Sequence, residues 1–138
     1  MGELQAVLFD MDGTLVETES LWHEAEVLTM AAFGSTWSED EQRFALGGPF
    51  GRVVEYMAQK AGADPTDVAV TLIDAIDQLM SSRPLPIQPG IAELKAEAEA
   101  AGIPTGLVTN SFRRLISIVL KSTGLHFDVT VAGDELAE

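Results

Sequence analysis

A short apolar run, Leu4-Gln5-Ala6-Val7-Leu8-Phe9, ends abruptly in Asp10-Met11-Asp12-Gly13-Thr14. A run of that length stopped by Asp and Gly predicts a buried strand of the parallel kind, with a polar loop at its carboxyl end. Parallel strands need crossover connections, so this feature directs the chain toward an α/β fold.

From about Thr18 to Ser82 the pattern is helical. Leu21, Ala25, Leu28 and Ala32 repeat at helical spacing, and Gly34 ends that segment. Ser38-Glu39-Asp40-Glu41 has the form of a capping box opening a second helix, which Gly47-Gly48-Pro49 breaks. A third helix is predicted from Phe50 to Ala61, closed by Gly62. Asp64 caps a fourth, with Pro65 at its first position. Val68, Leu72, Ala75, Ile76 and Leu79 line one face of it. Pro84, Pro86 and Pro89 then form a stiff connector.

Beyond the connector the alternation returns. A helix is predicted from Ile91 to Ala101, a strand from Ile103 to Thr109, a helix capped by Ser111 and ended by Gly124, and a strand from Asp128 to Ala132. The order predicts an α/β fold, a Rossmann-like parallel-sheet core with an inserted α-helical domain. The core would take residues 1–16 and 84–138, and the helical insertion residues 17–83.

Composition narrows the function. Of 138 residues 46% are hydrophobic, enough for a core. Acidic residues number 22 against 8 basic, a formal charge of -14. With no basic stripe, nucleic acid and anionic membrane are excluded as partners. An anionic small molecule could bind only through a local set of N–H donors, a few cations or a metal ion. There is no cysteine, hence neither disulfide nor thiolate chemistry. No apolar run reaches membrane-spanning length and the acidic start is no signal peptide, so a soluble cytoplasmic protein is expected.

Asp10 and Asp12 stand two apart beyond a strand, where open parallel sheets bind ligands. Two carboxylates there can attack an electrophile, hold or give a proton, or hold a divalent cation. Gly13 permits close backbone approach and anion-cradling N–H groups, and Thr14 can fix the loop through its hydroxyl. The alternative is a plain polar turn, since Asp and Gly are ordinary turn residues.

Val7-Leu8-Phe9-Asp10-Met11-Asp12-Gly13-Thr14-Leu15 resembles the first motif of the haloacid dehalogenase-like hydrolases, and Leu107-Val108-Thr109-Asn110-Ser111 resembles their second. The order of elements is similar to members with an inserted helical cap, the β-phosphoglucomutase-like and phosphoglycolate-phosphatase-like proteins. The resemblance implies that Asp10 is the nucleophile that forms an aspartyl-phosphate. Asp12 would be the general acid and then the base that activates water. It also implies magnesium on the Asp10 carboxylate and the Asp12 carbonyl, and a phosphate held by Gly13, Thr14, Thr109 and the Asn110 N–H. The expected function is a magnesium-dependent phosphatase acting on a small phosphorylated metabolite. The alternatives are a phosphomutase of the β-phosphoglucomutase type or an inactive interaction module.

The resemblance puts substrate selection in the cap. There Arg52 is either an oxyanion ligand or a solvated helix-start arginine. Trp22 either walls the site or packs the hinge, and Glu19, like Glu17, either contacts substrate or favours a helix N-terminus. His23 and His126 lack ligand-spaced partners and are expected to be structural or surface residues. Arg113 and Arg114 are expected at the surface, Lys95 on an outer helix. The family's third motif, a lysine, and its fourth, an acidic pair, have no match; Asp134 and Glu135 resemble the residues just before the third. The chain is therefore expected to be the amino-terminal part of a longer monomeric enzyme and inactive alone. Leu4 to Phe9 would then be an open sheet edge through which it self-associates.

Overall fold

A computed structural model describes residues 3–136. The chain divides into two compact units, one of Met1–Thr18 with Pro84–Glu138, the other of Glu19–Arg83.

In the first unit three short strands, β1 (Val7–Phe9), β2 (Thr105–Val108) and β3 (Val129–Val131), form one sheet in the order β1-β2-β3. Both pairings are parallel, with Leu8 beside Gly106 and Gly106 beside Val129. Alternate residues point to opposite faces. One face carries Phe9, Thr105 and Leu107, all buried. Phe127 meets Phe9 edge to face at 5.6 Å between ring centroids. Helices α5 (Ile91–Ala100) and α6 (Arg113–Thr123) add Ala98, Leu115, Ile116 and Val119 to this core.

The other face corrects the expectation of a fully buried first strand. Leu8 is 70% exposed and Val129 60% exposed. Leu4 also lies outside the ladder, exposed, because β1 begins only at Val7. Gly106 belongs to this face: a Cβ there would stand 2.8 Å from Leu8 Cδ2, so the missing side chain is what lets Leu8 lie across β2.

The chain leaves and re-enters the sheet unit side by side. Val16 bridges Ile87 in antiparallel fashion, Glu17 N–H donates to the Pro86 carbonyl, and Gln88 N–H to that of Leu15. The proline-rich connector is thus bonded to the loop after β1. Lys95, expected on an outer helix, turns its side chain inward from α5: its stem is buried, its ammonium pairs with Glu99 and it lies 4.9 Å from the Phe127 ring centroid.

The second unit holds four helices: α1 (Glu19–Ala32), α2 (Glu39–Ala45), α3 (Phe50–Ala61) and α4 (Pro65–Ser82). Helix α4 packs against both α1 and α3. Leu21, Ala25, Met30, Val53, Val54, Met57, Val68, Leu72 and Ile76 are buried in this unit, and on α4 Val68, Leu72 and Ile76 repeat at the four-residue spacing that aligns one apolar stripe. The capping box at Ser38 and Glu41 forms, as does the Asp64 cap. Among the described residues no helix is long and apolar enough to cross a membrane.

Candidate active site

The loop after β1 is a tight turn built on its own backbone. Met11, fully buried, accepts through its carbonyl from the N–H groups of Thr14, Leu15 and Val16. Gly13 takes a φ of 74°, which a side chain would resist, and its N–H donates to Val16 O at 2.9 Å. The N–H groups of Gly13 and Thr14 therefore hold the loop rather than stand open to an anion. Gln88 reaches in from the connector and donates to the Gly13 carbonyl at 3.3 Å.

This turn presents Asp10 and Asp12 differently. Asp10 is exposed at the strand's end, and Thr14 Oγ1 donates to its Oδ2 at 3.3 Å. The Asp10 carboxylate makes no other hydrogen bond among the described residues, so it retains acceptor capacity toward a ligand. Asp12 is half-buried and held by hydroxyls. Thr18 Oγ1 donates to Oδ1 at 2.5 Å, Ser111 Oγ to Oδ2 at 2.6 Å, and Thr109 Oγ1 lies 3.4 Å from Oδ2.

The end of β2 supplies the facing wall. Thr109 is buried, and its Oγ1 accepts from Ser111 N–H at 3.1 Å. Asn110 is exposed between them. The expectation that Ser111 caps the next helix is corrected: Phe112 is the N-cap, without a side-chain bond, because the Ser111 hydroxyl is drawn to Asp12 instead. Sequence reasoning therefore gave two residues no part in this site: Ser111, read only as a helix cap, and Thr18. The available signal was a second hydroxyl two residues beyond Thr109 and another where the helical region begins.

The remaining candidates have other surroundings. Glu19 is exposed in the first turn of α1 and Trp22 is half-buried there. Arg52 folds back in its own unit, its guanidinium 4.8 Å from the Phe44 ring centroid and its Nη2 3.5 Å from Phe44 O. Gly48 accommodates it, since a Cβ there would stand 2.8 Å from that nitrogen. His126 is exposed, and His23 Nδ1 lies 3.1 Å from Gln42 Oε1. Arg113 is not a free surface cation: it bonds Thr130 and Glu135, tying α6 to the end of β3. That fork holds the Glu135 carboxyl well below the usual carboxylate range, at about 2.

No group of three or more His, Cys, Asp or Glu side chains converges on a metal position among the described residues. A magnesium ion needs less than that, since it keeps several waters and is held by one or two carboxylates plus phosphate oxygens. The open Asp10 carboxylate and an Asp12 backbone oxygen, with both Asp12 carboxylate oxygens already engaged by hydroxyls, fit that demand.

A parallel sheet with a carboxylate pair at its first strand's end and a hydroxyl wall at the second defines a class of α/β hydrolases. The family model described as haloacid dehalogenase-like hydrolase matches residues 4–138, and the chain belongs to that family. It is 32% identical to protein CbbY of Cereibacter sphaeroides over 98% of this chain and 64% of the relative. It is 30% identical to hexitol phosphatase B of Escherichia coli over 97% of this chain and 63% of the relative. The crystal structure of CbbY from Rhodobacter sphaeroides in complex with phosphate superposes with a TM-score of 0.84 at 32% identity, covering 99% of this chain and 66% of that one. A mutant of the same protein has been crystallised with xylulose-(1,5)bisphosphate. The chain thus spans just under two thirds of the length of these relatives.

Proposed function

We propose that these residues serve a magnesium-dependent phosphomonoester hydrolase that acts on a small phosphorylated metabolite of the sugar-phosphate kind. The observation that carries the reading is the contrast between the two carboxylates: Asp10 open and exposed, Asp12 clamped by the Thr18 and Ser111 hydroxyls. A nucleophile must be free to approach phosphorus, whereas a proton carrier must be held in place. The named relatives, CbbY and hexitol phosphatase B, support the substrate class.

In this reading an Asp10 oxygen attacks phosphorus, the bond from phosphorus to the substrate oxygen breaks, and Asp12 gives that oxygen its proton. Water then attacks the aspartyl-phosphate, Asp12 takes back a proton, inorganic phosphate leaves and Asp10 is restored. Thr109 and Asn110, at the end of β2, hold the phosphoryl group. Magnesium, held by Asp10 and the Asp12 carbonyl, would offset repulsion between carboxylate and phosphate. The helical unit is read as the inserted cap that selects substrate.

The test is hydrolysis of p-nitrophenyl phosphate, with and without magnesium, by the full reading frame that contains this chain. Turnover should need the metal, vanish in Asp10→Asn and fall roughly 10²–10⁴-fold in Asp12→Asn. Magnesium-dependent turnover that survives Asp10→Asn would remove Asp10 as nucleophile. Transfer of phosphate within a sugar phosphate, without release, would replace hydrolase by mutase.

A further inference from the structure

The helical unit buries one carboxyl without a cation. Glu26 of α1 is 4% exposed, and its Oε2 accepts a 2.7 Å hydrogen bond from Trp37 Nε1–H. Trp37 is itself buried, in the connector between α1 and α2. The same indole N–H lies 3.4 Å from Gln42 Oε1 on α2, and that oxygen lies 3.1 Å from His23 Nδ1. One polar chain therefore joins α1, the connector and α2.

The groups around it do not neutralise Glu26. Arg43 pairs with Asp40, Lys60 with Glu41 and Arg83 with Glu24, while Arg52 lies over Phe44. These are all the lysines and arginines of Glu19–Arg83. On α1, His23 reaches the cluster only through Gln42, and Glu24 is committed to Arg83. On α2, Glu41 is engaged by Lys60 and by Tyr56 Oη of α3, whose ring meets Trp37 edge to face at 5.9 Å. Helix α4 turns Leu72, Ile76 and Leu79 inward, with Asp74 exposed and Asp77 half-buried. Thr29, one turn along α1 from Glu26, buries a hydroxyl with no partner. This side of α1 is poor in groups able to solvate a charge.

A carboxyl in such a place is favoured neutral, and ionising it calls for water or for movement. We propose that Glu26 is a proton-operated latch that fastens the Trp37 connector and α2 onto α1, closed while the carboxyl is neutral and loosened when it ionises. Burial pushes Glu26 up to about 7, against the opposing hydrogen bond from Trp37, which places the change near neutral pH. Helix α2 has seven residues and leads through Gly47-Gly48-Pro49 into α3 and Arg52, so the loosened segment is the one that orients that arginine's loop. The latch is independent of the phosphatase reading, and its test does not use turnover.

The chain has two tryptophans, Trp22 and Trp37. In a Trp22→Phe background, Trp37 emission should shift to the red as pH rises, with a midpoint near 7, and the shift should vanish in Glu26→Gln. In the chain without substitutions, the ¹³C carboxyl resonance of Glu26 should titrate with the same midpoint, which decides the matter even if the glutamine variant folds poorly. A Glu26 midpoint near 4.5 overturns the latch. So does an emission shift that persists in Glu26→Gln and is lost in His23→Gln.

Discussion

Asp12 is held on both carboxylate oxygens by the hydroxyls of Thr18 and Ser111, the latter from the loop just past the end of a different strand, with Thr109 Oγ1 3.4 Å away. In the proposed reaction such bonds would fix where Asp12 delivers its proton, and hydrogen bonds to a charged group contribute about 1.5–3 kcal/mol. Ser111→Ala should therefore lower kcat roughly tenfold to a hundredfold, with KM for p-nitrophenyl phosphate changed much less. A raised KM with kcat unchanged would assign Ser111 to binding rather than positioning. Glu26 belongs to the same scale. Its carboxyl binds a proton more tightly when folded, so the associated stability is fully present below about pH 4.5 and is lost as pH rises toward about 7. The shift corresponds to on the order of 3 kcal/mol. Glu41 and Glu135 act oppositely, each held at about 2 by its basic partner, and their contribution is lost as pH falls below about 4.5. Chemical denaturation as a function of pH should show stability declining between pH 4.5 and 7, with the decline flattened in Glu26→Gln. A rise across that window would contradict the buried neutral carboxyl.

At the scale of elements, local chemistry written in the sequence decides where helices start and stop. Ser38 and Glu41 exchange backbone bonds, Pro65 follows the Asp64 cap, and Gly62 and Gly124 end α3 and α6 with positive φ. The start of α6 departs from this because a tertiary partner, Asp12, competes for Ser111 and wins. The turn after β3 shows another tertiary demand. A Cβ on Gly133 would stand 2.1 Å from the Asn110 carbonyl oxygen, while Gly133 N–H donates to Ser111 O at 2.9 Å. Gly133→Ala must push these two loops apart. It should cost about 1–3 kcal/mol, as overpacking does, read as a lowered Tm. It should also lower turnover, since the loop it displaces carries Asn110 and Ser111. An unchanged Tm would show that the loops yield freely.

On the scale of the whole molecule, the sheet is covered on one face only among the described residues. Leu8, Val108 and Val129 form an exposed apolar patch beside the open edge of β1. Parallel sheets are ordinarily covered on both faces. The 138-residue chain should therefore bind a hydrophobic dye and self-associate with rising concentration, and Leu8→Thr with Val129→Thr should reduce both. Sedimentation as a monomer at all concentrations, without dye binding, would contradict an accessible patch. The charge of -14 opposes self-association, so added salt should strengthen it.

The sequence by itself determined the alternation of strand and helix, the four-helix insertion, most helix caps and the carboxylate pair at Asp10 and Asp12. These are local: apolar period, capping residues and a motif within one loop are all legible within a few neighbours. Only the tertiary structure decided that Ser111 and Thr18 clamp Asp12, that Lys95 is buried, that Glu26 lies beside Trp37, and that Leu8 faces outward. Each depends on a partner between 6 and 99 positions away or on which sheet face the helices cover. Side-chain period alone cannot tell which of two faces a three-residue strand buries, because that is settled by what packs against it.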